Sequence, residues 1–517
     1  MDILNKTRQN KMNKRLGRSM LAIVCLLAGN LLFFLTIWMA SKYDKVTLDQ
    51  FIYQMKSSAA GANRSIFNSA VVRVGVFGVV STILELALYW LSTGNVLQIL
   101  RRSRIYRRFR STRFSRFIVR RAVALVMAVL VFSCCLFTVK LDLVQFVSAA
   151  ATESEFIEDH YVDPNYASLT FPEQKRNLIY IFLESMETTF GETEAGGPIY
   201  DNFIPELTQL AQENVNFSND SGVGGALSFS GTTWTAAAMV TQTSGLNVQV
   251  PLDAEYFGGE NGYMPGVVSI GEILEAEGYN QTLLVGSDAE FGGRDAYFTE
   301  HGNYNIVDLN TLKERGWLRQ DYRKWWGFED AKLFNVAKLE LTALAEKGEP
   351  FNFTMLTCDT HFPDGYRCYE CENEYPERYP TVMRCSSRMI WEFIEWVKAQ
   401  PFYENTTIVL CGDHLTMDPD FMEDANEDYV RTVYNCIINP AVEPVNEKNR
   451  EFGTFDMLPT TLAAMGVEIG GDRLGLGTNL FSDKKTLCEL YGFETLDWEL
   501  QKRSEFYNDR FLGLNEE

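Results

Sequence analysis

The chain has 517 residues, 46% of them hydrophobic and 22% charged, a composition that excludes a largely disordered protein and leaves room for several domains. Its net charge of −21 is unevenly divided: residues 1–150 hold 22 Lys/Arg against 5 Asp/Glu, a balance of +17, and the remainder stands at −38. The basic residues lie between long apolar runs rather than on the folded bulk, which argues against a nucleic-acid binder.

The first apolar run, Leu21–Ala40, is twenty residues without a charge. At 1.5 Å per residue such a helix covers about 30 Å, the thickness of a bilayer core. It lacks a clear small-residue cleavage site and further spans follow, so it reads as an uncleaved helix rather than a signal peptide. Val74–Ser92 is the second candidate, with Glu85 as its only charge, and Ala122–Val139 is the third. Lys6, Arg8, Lys11, Lys14, Arg15 and Arg18 precede the first span. Arg101, Arg102, Arg104, Arg107, Arg108, Arg110, Arg113, Arg116, Arg120 and Arg121 lie between the second and third. The excess of Lys and Arg puts both segments in the cytoplasm, where anionic lipid attracts them. Three crossings then leave everything after about Val139 outside, as a multi-pass cell-membrane protein with an extracytoplasmic domain. Glu85 is a functional candidate by virtue of its depth, or a residue near a span end that snorkels.

The domain scheme expected is a transmembrane region over 1–145, a linker over 146–176, a catalytic domain over 177–482 and a peripheral helical tail over 483–517. From Asn177 the pattern changes to short apolar runs of strand type: Asn177–Leu183, Thr282–Val285, Phe353–Leu356, Thr407–Leu410 and Asn435–Ile438. Helical patterns lie between them, at Ile204–Glu213, Val268–Glu277, Asp330–Glu346 and Arg388–Ala399. This alternation predicts an α/β domain with a mostly parallel sheet flanked by helices.

Four strand ends deliver polar groups: Glu184-Ser185, Gly286-Ser287-Asp288, Cys358-Asp359-Thr360-His361 and Gly412-Asp413-His414. Sites in open α/β sheets form beyond the carboxyl ends of the strands. Only four His occur in the chain, and His361 and His414 are two of them. Glu184, Asp413 and His414 offer two hard oxygens and a borderline nitrogen, a set that suits Mn²⁺, Mg²⁺ or Zn²⁺. In Ser228–Met239, Thr232 follows Gly231 and leads into an Ala-rich helical run. That places a hydroxyl at a helix N-terminus, either as a nucleophile activated by the metal or as an ordinary N-cap.

The segments NLIYIFLESMETTF, GTTWTAAAMVTQTSG, DTHFPDGY, CGDHL, FDMLPTTLAAMGV and RLGLGTNLF, in this order over Asn177–Phe481, resemble the sulfatase and alkaline-phosphatase superfamily. They look most like its membrane branch, the lipoteichoic acid synthases and periplasmic phosphoglycerol transferases. The resemblance implies an extracytoplasmic alkaline-phosphatase-like domain behind a three-helix anchor. It implies Glu184, Thr232, Asp413 and His414 as ligands of one divalent ion, Mn²⁺ first, and Thr232 as the nucleophile, with Thr233 the neighbouring alternative. It further implies Arg294 and His361 as contacts to the substrate phosphate, His361 also protonating a leaving oxygen. The implied reaction moves glycerophosphate from a phosphatidylglycerol-type lipid, through the threonine, to a glycan or polyglycerophosphate acceptor. Gly292 and Gly293 stand where the lipoteichoic acid synthases have Trp, a departure from their glycerol-binding pattern; the GTTWT and THFPDG forms look more like the phosphoglycerol transferases acting on periplasmic glucans or other glycans.

A phosphoethanolamine transferase or a sulfatase is the alternative within enzymes, although GTTWTAA lacks the C/S-x-P-x-R motif of a sulfatase nucleophile. A catalytically silent ectodomain that binds glycans or proteins is the alternative outside them. Of the ten Cys, Cys368-x-x-Cys371 with Cys385 could indicate zinc; an oxidising compartment favours a disulfide among the three instead. Cys358 and Cys411 read as buried thiols.

Overall fold

The computed structural model describes residues 2–43, 47–57, 64–93, 103–191, 201–251, 257, 262–418, 421–422 and 429–514, with side chains from Met20 onward except at 64, 65 and 93. The basic side chains at 6–18, Arg101 and Arg102 therefore lie outside the described residues. The chain forms two compact units, one of residues 1–46 and 63–145, the other of residues 47–62 and 146–517.

In the first unit α1 (Asp2–Ala40) is followed, after a short helix α2 (Leu48–Lys56) that belongs to the second unit, by α3 (Phe77–Thr93) and α4 (Arg113–Lys140). Three stretches are long and apolar enough to cross a membrane: Met20–Ala40, Ile66–Ser92 and Arg113–Lys140. Their side chains are largely exposed, which in water would be a severe cost for apolar helices and in lipid is none. Glu85 has a partner inside this unit. Asn30 donates to its carboxylate at 2.8 Å and to Thr82 at 3.0 Å. The acid within this apolar stretch is thus satisfied by a neighbouring helix.

The second unit is built on a seven-stranded sheet. Its strands are β1 (Asn177–Leu183), β2 (Gly225–Ala226), β3 (Asn280–Val285), β4 (Asn305–Val307), β5 (Phe351–Leu356), β6 (Thr406–Gly412) and β7 (Val433–Ile438). The spatial order is β2-β7-β6-β1-β5-β3-β4. β6, β1, β5, β3 and β4 run parallel, and β7 is antiparallel to both its neighbours. The central strands are buried on both faces, so their sequences read as continuous apolar runs rather than alternating ones. Among the flanking helices are α5 (Pro205–Glu213), α6 (Thr235–Ser244), α7 (Ile270–Ala276), α8 (Asp330–Glu346) and α9 (Arg378–Lys398). Helix α9 begins ten residues before the expected Arg388, because Pro380 sits in its first turn, where a missing N–H has no cost.

The segment after Asp483 is not the peripheral tail expected from sequence. Its helices bury Leu496, Leu500, Tyr507 and Phe511, and Asp497 accepts from the backbone N–H of Ser230 at 2.7 Å. Helix α2 also joins this unit: Tyr53 is buried among Trp234, Phe257 and Tyr263.

Candidate metal and phosphate site

Strands β1, β6, β5 and β3 are parallel neighbours, so their carboxyl ends share one edge of the sheet. At that edge β1 and β6 come into contact. A side chain at Gly412 would put its Cβ 2.0 Å from the Met186 carbonyl, so only glycine lets the two strand ends approach. Past β1 the chain turns through Ser185, whose φ of 53° is left-handed. The turn lets the Ser185 N–H donate to Asp413 Oδ1 at 2.7 Å, while its hydroxyl donates to Glu184 Oε1 at 2.7 Å. The Glu184 N–H is held by Thr357, and its carbonyl accepts from Thr360 at 2.6 Å.

Ligand atoms of Glu184, Asp413 and His414 lie within 4.8 Å of one another, and all three residues are buried. His414 Nε2 is 3.4 Å from Asp413 Oδ2 and 3.7 Å from Glu184 Oε1. Its Nδ1 donates to the Leu415 carbonyl at 2.8 Å, which fixes the tautomer and leaves the Nε2 lone pair facing the two acids. Asp413 Oδ2 is buried without a hydrogen-bond partner among the described residues. Burial and the Asp413 carboxylate push Glu184 well above its ordinary range. Two facing acids, an orphaned oxygen and an imidazole lone pair are what a divalent cation needs, and the residues present fit one.

The hydroxyl at this cluster is that of Thr235. Its Oγ1 is 3.3 Å from Glu184 Oε2 and 3.3 Å from His414 Nε2. Thr235 is the first residue of α6, half-buried, with its hydroxyl at the electropositive helix end. Gln242, two turns on, aims the helix: it donates to the Gly412 carbonyl at 2.9 Å and accepts from the Tyr180 hydroxyl at 2.8 Å. Thr232, the hydroxyl expected here from sequence, is turned away. It is 2% exposed, and its Oγ1 donates to the Phe229 carbonyl at 2.8 Å in the turn before the helix. Thr233, the neighbouring alternative, has no hydrogen-bond partner for its buried Oγ1 among the described residues.

Arg294 follows two glycines in left-handed conformation, Gly292 and Gly293 with φ of 71° and 70°. The buried guanidinium donates to the Phe291 and Asp288 carbonyls and to the Ser287 hydroxyl at 2.8–2.9 Å. Neutral acceptors hold it, so its charge is left for an anion. Burial lowers its pKa, opposed by negative neighbours that include Glu184. His361 Nδ1 bonds the Phe362 carbonyl at 2.7 Å and its ring lies 4.5 Å from Trp326. Burial first, opposed by the bond to the Phe362 carbonyl and aided by the nearby Arg294 charge, brings its pKa down to about 3. The resting imidazole is therefore neutral and offers Nε2 as an acceptor, so the expected protonation of a leaving oxygen requires a proton gained with the substrate. These mutual influences put Arg294 and His361 in the electrostatic neighbourhood of the acidic cluster.

Residues 176–467 match the family model described as Sulfatase. The chain belongs to the sulfatase family. Among relatives of this sulfatase-family chain, phosphoglycerol transferase I of Salmonella choleraesuis (strain SC-B67) is 29% identical over 343 residues, covering 64% of this chain and 43% of that protein. The chain thus spans less than half the length of this relative. A protein in the alkaline phosphatase superfamily from Vibrio parahaemolyticus is 18% identical, with a TM-score of 0.48 over 63% of this chain and 75% of that one. The lipoteichoic acid synthase LtaP from Listeria monocytogenes is also 18% identical, with a TM-score of 0.48 over 63% of this chain and 80% of that one.

Sequence reasoning missed Thr235, and with it Gln242 and Tyr53. One signal for Thr235 was available: in GTTWTAAAM the uninterrupted helix formers begin only after Trp234, so the helix N-terminus falls at Thr235 and not at Thr232. Tyr53 carries no such signal, because its role depends on partners 181 to 239 residues away in the chain.

Proposed function

We propose that the chain is a membrane-anchored, metal-dependent phosphoglycerol transferase. Glycerophosphate passes from a phosphatidylglycerol-type lipid to a glycan or polyglycerophosphate acceptor, with Thr235 as the nucleophile. The observation that carries this reading is the Thr235 hydroxyl, 3.3 Å from both Glu184 and His414 at the start of α6.

A divalent cation held by Glu184, Asp413 and His414, of which Mn²⁺ suits two carboxylates and an imidazole well, lowers the pKa of a nearby hydroxyl and offsets charge on phosphoryl oxygens. Thr235 Oγ1 gives up its proton and attacks phosphorus, the bond to the diacylglycerol oxygen breaks, and that oxygen takes up a proton as it leaves. Glycerophosphate is then esterified to Thr235. An acceptor hydroxyl gives up its proton and attacks the same phosphorus, the bond to Thr235 Oγ1 breaks, and that oxygen takes up a proton and returns to its starting form. Arg294 binds the non-bridging oxygens, and the α6 N-terminus adds its dipole. His361, whose Nδ1 is held by the Phe362 carbonyl, takes a proton on Nε2 from the acceptor hydroxyl in the second step. Three spans hold the domain at the lipid surface, where the donor is concentrated, with the arginine-rich connection on the cytoplasmic side and the catalytic unit outside.

The test uses the full-length protein in vesicles that contain head-group-labelled phosphatidylglycerol or phosphatidylethanolamine. The expected result is head-group release from phosphatidylglycerol, abolished in Thr235→Ala and retained in Thr232→Ala, with a glycerophosphate adduct on the Thr235 peptide by mass spectrometry. Release from phosphatidylethanolamine alone would make the chain a phosphoethanolamine transferase. No turnover and no bound metal would make it a silent binding domain.

A further inference from the structure

Three thiols converge away from the acidic cluster. Cys368 and Cys371 lie in the irregular segment that follows His361, and Cys385 projects from α9. Their sulfurs are within 4.8 Å of one another, and those of Cys368 and Cys371 are 3.6 Å apart. Cys368 and Cys385 are buried and Cys371 is half-buried. The disulfide expected among them from sequence is not formed; all three are free thiols. A disulfide could in any case join only two of the three. Thiolates around a tetrahedral zinc ion, at about 2.3 Å each, stand about 3.8 Å apart, close to the spacing seen.

The surroundings favour a cation. Asp359 is 1% exposed, and neither carboxylate oxygen has a hydrogen-bond partner among the described residues. Burial first, and then the neighbouring Asp330, pushes its carboxyl well above the ordinary range. Asp330 itself is buried and accepts from the backbone N–H groups of Cys358 and Asp359. Buried carboxyl oxygens left without hydrogen-bond partners carry a desolvation cost that a positive charge beside them offsets. The C-x-x-C spacing with a third Cys from a helix is a common way to supply thiolate ligands.

We propose that Cys368, Cys371 and Cys385 bind one thiophilic divalent ion of the zinc class, separate from the ion at Glu184, Asp413 and His414. The ion is structural. It pins the loop that carries His361 to α9, and so sets the position of that imidazole. The binding releases the thiol protons and changes no oxidation state.

The test is metal analysis on the full-length protein in detergent, grown with zinc and purified without reductant. The expected result is that a mercurial thiol reagent releases one equivalent of zinc per chain, read with a colorimetric indicator. Asp413→Asn should keep this equivalent and Cys371→Ser should lose it. Replacement by Co²⁺ should give a thiolate-to-cobalt charge-transfer band that disappears in Cys371→Ser. If that variant does not fold, release from the wild-type protein decides alone. Failure of the mercurial to release metal, or an intact mass two hydrogens light that reverts on reduction, overturns the proposal. These readouts do not depend on turnover, so they stand apart from the proposed transferase activity.

Discussion

At the scale of the residue, one helical turn separates two threonines with different fates. Thr232 spends its hydroxyl on the Phe229 carbonyl, whereas Thr235 faces Glu184 and His414. Thr235→Ala should lower phosphodiester turnover by on the order of 10³-fold or more, and Thr235→Ser should recover part of it, measured as head-group release. Thr232→Ala should cost about 1 kcal/mol of stability by thermal unfolding and leave turnover nearly intact. Arg294→Lys should lower kcat/KM by about 10²-fold, because an ammonium cannot occupy the Ser287 and Asp288 contacts and still face the substrate. Glu184, Asp413 and His414 were legible in the sequence, since each directly follows an apolar strand run. The hydroxyl that faces the acidic cluster was misplaced by one turn because Gly231 looks like a helix-start signal. In the structure Gly231 serves instead a close approach to Val248, with a φ of 77° and room for no Cβ.

At the scale of the element, the buried strands and most helices could be read from periodicity and length, and the strand ends followed from them. What could not be read is how distant segments cover the site. The Tyr53 hydroxyl of α2 lies 2.5 Å from the Gly292 carbonyl and 2.7 Å from the Tyr263 hydroxyl, and so supports the glycine turn that leads to Arg294. Tyr53→Phe should raise KM for the lipid more than it lowers kcat, as expected of a positioning residue. The same helix carries a titratable group. Burial first and Asp497 second raise Asp49 from 3.8 to about 6. A carboxyl raised in the folded state stabilises it fully below about pH 4, and that contribution is lost as the pH climbs through 6. Thermal stability should therefore fall across this window, and Asp49→Asn should flatten the slope. Gly412→Ala should destabilise by about 2 kcal/mol or more, since its Cβ meets the Met186 carbonyl rather than a side chain able to move.

At the scale of the whole molecule, the sequence already showed a basic apolar front and an acidic back, with apolar stretches long enough to cross a bilayer. The α/β character of the back was equally plain from the order of its runs. The domain limits were less so, because they assume that each domain is one continuous stretch. The second unit instead takes in residues 47–62, from between the first two spans, together with everything from Phe146 onward. Chelation should remove the ion at Glu184, Asp413 and His414 and abolish turnover, with Mn²⁺ restoring it; activity after dialysis and add-back measures this.

That discontinuity has a consequence for biosynthesis. Tyr53 leaves the ribosome long before Trp234, Tyr263 and Gly292, the groups that will enclose it, and its bond to Tyr263 spans 210 positions of sequence. During translation α2 must wait, without its partners, while two more apolar helices and the first three of the seven strands are made. A soluble fragment cut just before Phe146 would never receive it, and would leave an aromatic hollow open beside Gly292. Adding a synthetic peptide of residues 47–57 to such a fragment should raise its melting temperature, and a peptide with Phe at position 53 should do so less well.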